Sequence, residues 1–103
     1  MPPAQHRLLL IDDDRNFRRV TSLALREDGY EVIEAGNGRE GLNQLQKGGI
    51  EVVLCDLNMP VMDGMEFLET KSRQSEPTPV VVITAYGSIE SAVEAMRSGA
   101  FDY

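Results

Sequence analysis

Short aliphatic runs, each closed by a polar residue, alternate with stretches of helical periodicity along the chain. Leu8-Leu9-Leu10-Ile11, Val52-Val53-Leu54-Cys55 and Val80-Val81-Val82-Ile83 are uninterrupted apolar runs. Such runs read as strands buried on both faces, as in a parallel sheet. Glu31-Val32-Ile33-Glu34 is half polar and belongs near a sheet edge. Between the runs, Phe17, Val20, Thr21, Ala24 and Leu25 make one helical face, with Gly29 placed as its C-terminal cap. Gly41, Leu42 and Leu45 make a shorter face, closed by Gly48-Gly49. Asp63-Gly64-Met65-Glu66 reads as a capping box opening a helix that buries Phe67 and Leu68. Ile89, Ala92, Val93 and Met96 are spaced i, i+3, i+4, i+7, with Ser88 as the candidate N-cap and Gly99 as the stop.

The order is therefore strand then helix, four times over. Parallel strands joined by right-handed crossover helices give an α/β fold, a doubly wound parallel sheet with helices on both faces. Phe101-Asp102-Tyr103 looks like the approach to a further strand. Residues 1–6 are a short polar tail, and residues 7–103 the domain. A chain of 103 residues is one domain by size.

Charge and cysteine content narrow the chemistry. The net charge of −7 argues against direct nucleic-acid binding, which needs a basic surface, and against binding to an anionic membrane. It favours a local site for a divalent cation. One cysteine, Cys55, allows neither an intrachain disulfide nor a cysteine metal cluster, which fits a reducing, cytoplasmic setting. The apolar stretch Leu8 to Ile11 is far too short for a signal peptide or a membrane span. Cys55 lies inside an apolar run and reads as a buried, inert thiol, and Met62, Met65 and Met96 as packing residues. Gly36-Asn37-Gly38 resembles a turn, with no Walker lysine or dinucleotide fingerprint around it.

In open α/β sheets, ligands bind beyond the carboxyl ends of the strands. Asp12, Asp13 and Asp14 follow the first run, Asp56 the third aliphatic-rich segment and Thr84 the fourth. A single aspartate there is more often a turn or cap residue, and Asp14 is placed to cap the next helix. Asp12, Asp13 and Asp56 at equivalent strand ends are a different matter. Carboxylates crowded at one edge repel each other unless a proton or cation sits among them. An all-oxygen set suits Mg²⁺ or Mn²⁺. A carboxylate beside such a cation can act as a covalent nucleophile toward phosphorus, with Thr84 donating a hydrogen bond to a phosphoryl oxygen.

These residues resemble the response-regulator receiver domain of two-component signalling. The matching pieces are Leu9 to Asp14, Leu54-Cys55-Asp56-Leu57-Asn58-Met59-Pro60 running into Met62-Asp63-Gly64, Val82-Ile83-Thr84-Ala85-Tyr86, and Ala95 to Tyr103. The resemblance implies a flavodoxin-like three-layer sandwich. It implies that Asp56 is the phosphorylated aspartate, Asp13 the direct metal ligand and Asp12 its acidic neighbour, with the Asn58 main-chain carbonyl completing the metal set. Thr84 then corresponds to the switch hydroxyl, Ala85 to the small residue that leaves room for phosphate, and Tyr103 to the switch aromatic. It also implies a sensor histidine kinase as phosphodonor. The Gly-Ala-Phe-Asp-Tyr ending resembles receivers attached to ATP-driven transcription activators, which implies an output domain beyond this chain.

The family carries a lysine a few residues beyond the position of Tyr103, and neither Lys47 nor Lys71 matches it. The expectation is therefore a receiver truncated before its fifth strand and fifth helix, whose open edge a homodimer or strand exchange would cover. A Mg²⁺-dependent phosphatase with an aspartyl-phosphate intermediate fits less well. Asp56-Leu57-Asn58 has asparagine where such enzymes want a second aspartate, and 103 residues leave no room for a substrate cap. The chain is read as a phospho-accepting signalling domain, not a turnover enzyme. A protein-interaction module that never takes phosphate is the third reading.

Overall fold

The structure, a computed structural model, describes residues 6–57, 62–74, 77–83 and 89–102. Its elements run β1 (Arg7–Ile11), α1 (Arg15–Glu27), β2 (Glu31–Ala35), α2 (Gly38–Gln46), β3 (Val52–Asp56), α3 (Gly64–Arg73), β4 (Val80–Ile83) and α4 (Ile89–Arg97). The four strands form one sheet in the order β2-β1-β3-β4, every neighbouring pair parallel. The half-polar run is the edge strand β2, as its pattern implies. Asp102 makes an isolated parallel bridge to Val81, so the last described residues start along the open side of β4 without forming a full fifth strand.

Local chemistry sets the helix ends. The Asp14 side chain accepts a hydrogen bond from the Phe17 amide at the start of α1. Asn37 does the same for Glu40 at α2, and Asp63 for Glu66 at α3. Each satisfies an amide that the helix cannot pair internally. Asn37, read from sequence as part of a turn, is thus also a helix cap. Helix α1 ends at Asp28, and the next residue, Gly29, adopts φ 97°, the left-handed conformation that glycine takes at least cost.

Helices α2, α3 and α4 pack in a row over one face of the sheet, and α1 lies against β1 and β2. The main core forms under the row of three: Leu9, Ile11, Val53, Cys55, Val80 and Val82 from the strands meet Leu42, Leu45, Phe67, Leu68 and Ala95 from the helices. Phe67, Leu9 and Ile11 are fully buried. Burying each such side chain contributes about 1.5–3 kcal/mol.

Three expectations from the pattern need correction. Of the apolar strands, only β1 is buried on both faces, whereas β3 and β4 alternate buried and half-buried positions. The reason is that α1 packs mainly against β1 and β2. The face that α1 turns inward also differs from the one its apolar spacing suggested. Phe17 and Val20 are exposed, as is Leu23. Arg18, Thr21, Ser22 and Leu25 face inward instead, at i, i+3, i+4 and i+7. Arg18 is held by the Asp12 carbonyl and the Glu34 carboxylate, and the residues in phase with it turn inward with it. In α4, Ala95 is buried, while Val93 and Met96, placed on the apolar face by their spacing, are exposed.

Ser22 is fully buried, and its hydroxyl has no hydrogen-bond partner. An unpaired buried hydroxyl costs about 1–3 kcal/mol, and alanine is the better helix former. Ser22→Ala is expected to raise stability by about 1 kcal/mol in urea denaturation. A loss of stability would show that the hydroxyl is satisfied after all.

Candidate functional site

The site begins with strand register. Ile11 of β1 pairs with Cys55 of β3, so Asp12, just past β1, stands beside Asp56, the last residue of β3. The main chain holds Asp12 from two directions: its amide donates to the Ala35 carbonyl at 3.1 Å, and its carboxylate Oδ1 accepts from the Asp14 amide at 2.9 Å. Asp12 is only 4% exposed, Asp56 is half-buried and Asp13 is exposed. One carboxylate oxygen from each of the three lies within 4.8 Å of the others.

The electrostatics follow from that crowding. Burial pushes the Asp12 carboxyl above its ordinary range. The Asp14 amide opposes this, and the charges of Asp56, Asp13 and Asp14 push the same way as burial. Beneath the site, burial pushes the Cys55 thiol far upward, reinforced by Asp56, Asp12 and Asp63. Cys55 is therefore an un-ionised packing residue, and its Sγ donates to the Asp56 carbonyl at 3.2 Å. Three converging carboxylates, one of them buried and destabilised as an anion, suit a hard divalent cation with oxygen ligands. Such an ion would relieve the repulsion that burial aggravates.

Gly64, at the start of α3, lies against the end of β3. The Gly64 amide donates to the Leu57 carbonyl at 2.9 Å. A Cβ at Gly64 would stand 2.7 Å from the Leu57 Cα and would strike the Asp56 carbonyl. Both obstacles are main chain, so they cannot turn aside. At α2, the Gly38 amide donates to the Met62 carbonyl at 3.1 Å, which ties Met62 to the start of that helix.

A four-stranded parallel sheet in this order, with acidic residues gathered at the carboxyl ends of its two central strands, defines a receiver-type α/β domain. The chain belongs to the response regulator receiver domain family, whose profile matches residues 8–103. It is 44% identical over 100 residues to the regulatory protein AtoC of Escherichia coli (strain K12), covering 97% of this chain and 22% of that protein. It is 40% identical over 96 residues to the transcriptional regulatory protein ZraR of the same organism, covering 93% of this chain and 22% of that protein. The chain thus spans 22% of the length of these relatives. Among solved structures, the chemotaxis protein CheY4 of Vibrio cholerae matches with a TM-score of 0.89 at 38% identity, over 96% of this chain and 84% of that one. The receiver domain of the Francisella response regulator 1452 matches with a TM-score of 0.90 at 29% identity, over 96% of this chain and 82% of that one. The chain is accordingly a signalling receiver domain related to transcription regulators.

Of the residues singled out from sequence, Asp12, Asp13 and Asp56 come together at one sheet edge. Asp14 is a helix cap and not part of the cluster. Asn58, Thr84, Ala85 and Tyr103 lie outside the described residues, as do Met59, Pro60, Tyr86 and Ser88. Sequence reasoning missed Arg18 and the tight approach at Gly64. The signal for Arg18 was its place four residues after the capping Asp14, in the first turns of a helix that starts at an acidic strand end.

Two outcomes follow from this geometry. A carboxyl raised above its ordinary range binds its proton more tightly in the folded state. Its contribution to stability is therefore fully present at acid pH and is lost as pH rises through its own titration. In metal-free buffer, Asp12→Asn is expected to match wild type at acid pH and to exceed it by about 1 kcal/mol at neutral pH, as urea midpoints against pH. A variant no more stable at neutral pH would refute the repulsion account. Gly64→Ala is expected to cost about 1–3 kcal/mol and to shift the Asp56 and Leu57 amide resonances. An unchanged midpoint and spectrum would contradict the close approach.

Proposed function

We propose that Asp56 accepts a phosphoryl group from a phosphohistidine on a partner sensor kinase. The supporting observation is the convergence of Asp12, Asp13 and Asp56 at the carboxyl edge of the sheet. In this reading Asp12, Asp13, Asp56 and the main-chain carbonyl of Asn58 hold Mg²⁺, or Mn²⁺ in its place. When bound, the ion neutralises the acidic cluster and the incoming phosphoryl oxygens.

The chain's own residues do the rest. An Asp56 carboxylate oxygen forms the new P–O bond as the P–N bond of the phosphohistidine breaks, and the electron pair returns to the imidazole nitrogen. Asp12, pinned by the Ala35 carbonyl and the Asp14 amide, keeps its carboxylate facing the acceptor. Thr84 donates a hydrogen bond to a phosphoryl oxygen, Ala85 leaves the approach open, and Tyr103 follows the threonine inward. The result is a two-state switch biased by the acyl phosphate, not a turnover enzyme.

Residues 7–103 form the receiver unit, with a C-terminal output domain, in transcription regulation, outside this chain. The setting is cytoplasmic, and no described helix is long and apolar enough to cross a membrane. The net charge of −7 favours protein partners, the kinase and a second copy of the chain, over nucleic acid or membrane.

The test is addition of Mg²⁺ with beryllofluoride, followed by amide NMR, with Asp56→Asn alongside. Saturable shifts at Asp56 and along β4 in wild type, absent from the variant, are expected. No response in wild type, or the same response in Asp56→Asn, would overturn the acceptor assignment. Sustained turnover of small phosphate esters would favour a phosphatase instead.

A further inference from the structure

The geometry points to Arg18 as a positioning residue for the acidic site, acting through the main chain of Asp12. Its Nη1 donates to the Asp12 carbonyl at 2.7 Å, and its Nε donates to Glu34 Oε1 at 3.1 Å. The Arg18 side chain is 18% exposed and that of Glu34 25%, so the pair is screened less than a surface ion pair. Glu34 is steadied in turn by Arg26, whose Nη2 lies 3.7 Å from Glu34 Oε2 and donates to the Val32 carbonyl at 2.9 Å. Arg18 thus joins the first turns of α1, the edge strand β2 and the end of β1.

Asp12 is thereby fixed at three atoms. Its amide is held by Ala35, its carboxylate by the Asp14 amide and its carbonyl by Arg18. A planar guanidinium with two donors on different partners fixes direction as well as distance, which an ammonium does not do. Residues that orient a cation's ligands without touching the cation commonly set its affinity.

This inference rests on the cation site proposed above, and two opposed effects make it testable. Removing a positive charge beside carboxylates, taken alone, tightens cation binding. Removing the support of Asp12 loosens it. Positioning requires that the second effect wins. In calorimetric titration with MgCl₂, Arg18→Met is expected to weaken binding about 10-fold. Arg18→Lys, which keeps the charge and loses the fork, is expected to remain about 3-fold weaker than wild type. Leu45→Val, a core change in α2 away from the site, is expected to keep wild-type affinity. Binding by Arg18→Met as tight as wild type or tighter, or equal weakening by Leu45→Val, would overturn the proposal.

A second readout needs no metal. Arg18→Met is expected to speed hydrogen exchange at the Asp12 and Asp14 amides while leaving that of Val53, bonded to the Pro79 carbonyl, unchanged. Unchanged exchange at Asp12 and Asp14 would overturn the positioning role. Failure of wild type to bind Mg²⁺ would instead count against the cation site, and the exchange rates would still decide the role of Arg18.

Discussion

Everything at the candidate site depends on the parallel register of β1 on β3. Pairing Ile11 with Cys55 sets Asp12, the first residue past β1, beside Asp56, the last residue of β3. A slip of one residue would turn Asp12 and Asp56 to opposite faces, because side chains alternate along a strand. What fixes the register is apolar: Leu9, Ile11, Val53 and Cys55 all face the helical row that carries Phe67 and Leu68. The core thus forces together carboxylates that would not approach one another unaided, and burial beneath Asp12 sharpens their repulsion.

The two faces of the sheet are not equivalent. Helices α2, α3 and α4 close one face over a continuous core, while α1 covers β1 and β2 and leaves the corresponding side chains of β3 and β4 half-buried. Helix α1 docks through a polar seam. Its inward residues include an arginine held by a backbone carbonyl and a carboxylate, and a serine with no partner. The same helix that covers β1 and β2 on the far face also holds the main chain from which Asp12 projects.

Much of this was legible in the residues. The aliphatic runs gave the strands, and the half-polar Glu31 to Glu34 run gave the edge. Asp14, Asp63 and Gly29 announced helix ends because capping is a short-range matter. Asp12, Asp13 and Asp56 could be grouped because strand ends share an edge. The inward face of α1 could not be read, since Phe17, Val20 and Ala24 have good helical spacing and spacing alone does not say which face a sheet receives. What decided it was Arg18, whose partners lie on β1 and β2 and become neighbours only in the folded sheet. The open faces of β3 and β4 escaped for a related reason: an aliphatic run shows what a strand tolerates, not how far a helix reaches.

Gly64 gives β3 a property that neither charge nor burial describes. With the Leu57 Cα and the Asp56 carbonyl against it, and its amide bonded to the Leu57 carbonyl, the start of α3 is seated directly on the end of β3. In mechanical terms the joint has no free play. A hydrogen-bonded helix is stiff along its axis, so a displacement of the Asp56 main chain would press directly on the first turn of α3. The contact that leaves no room for a methyl group couples the end of the strand directly to the start of the helix.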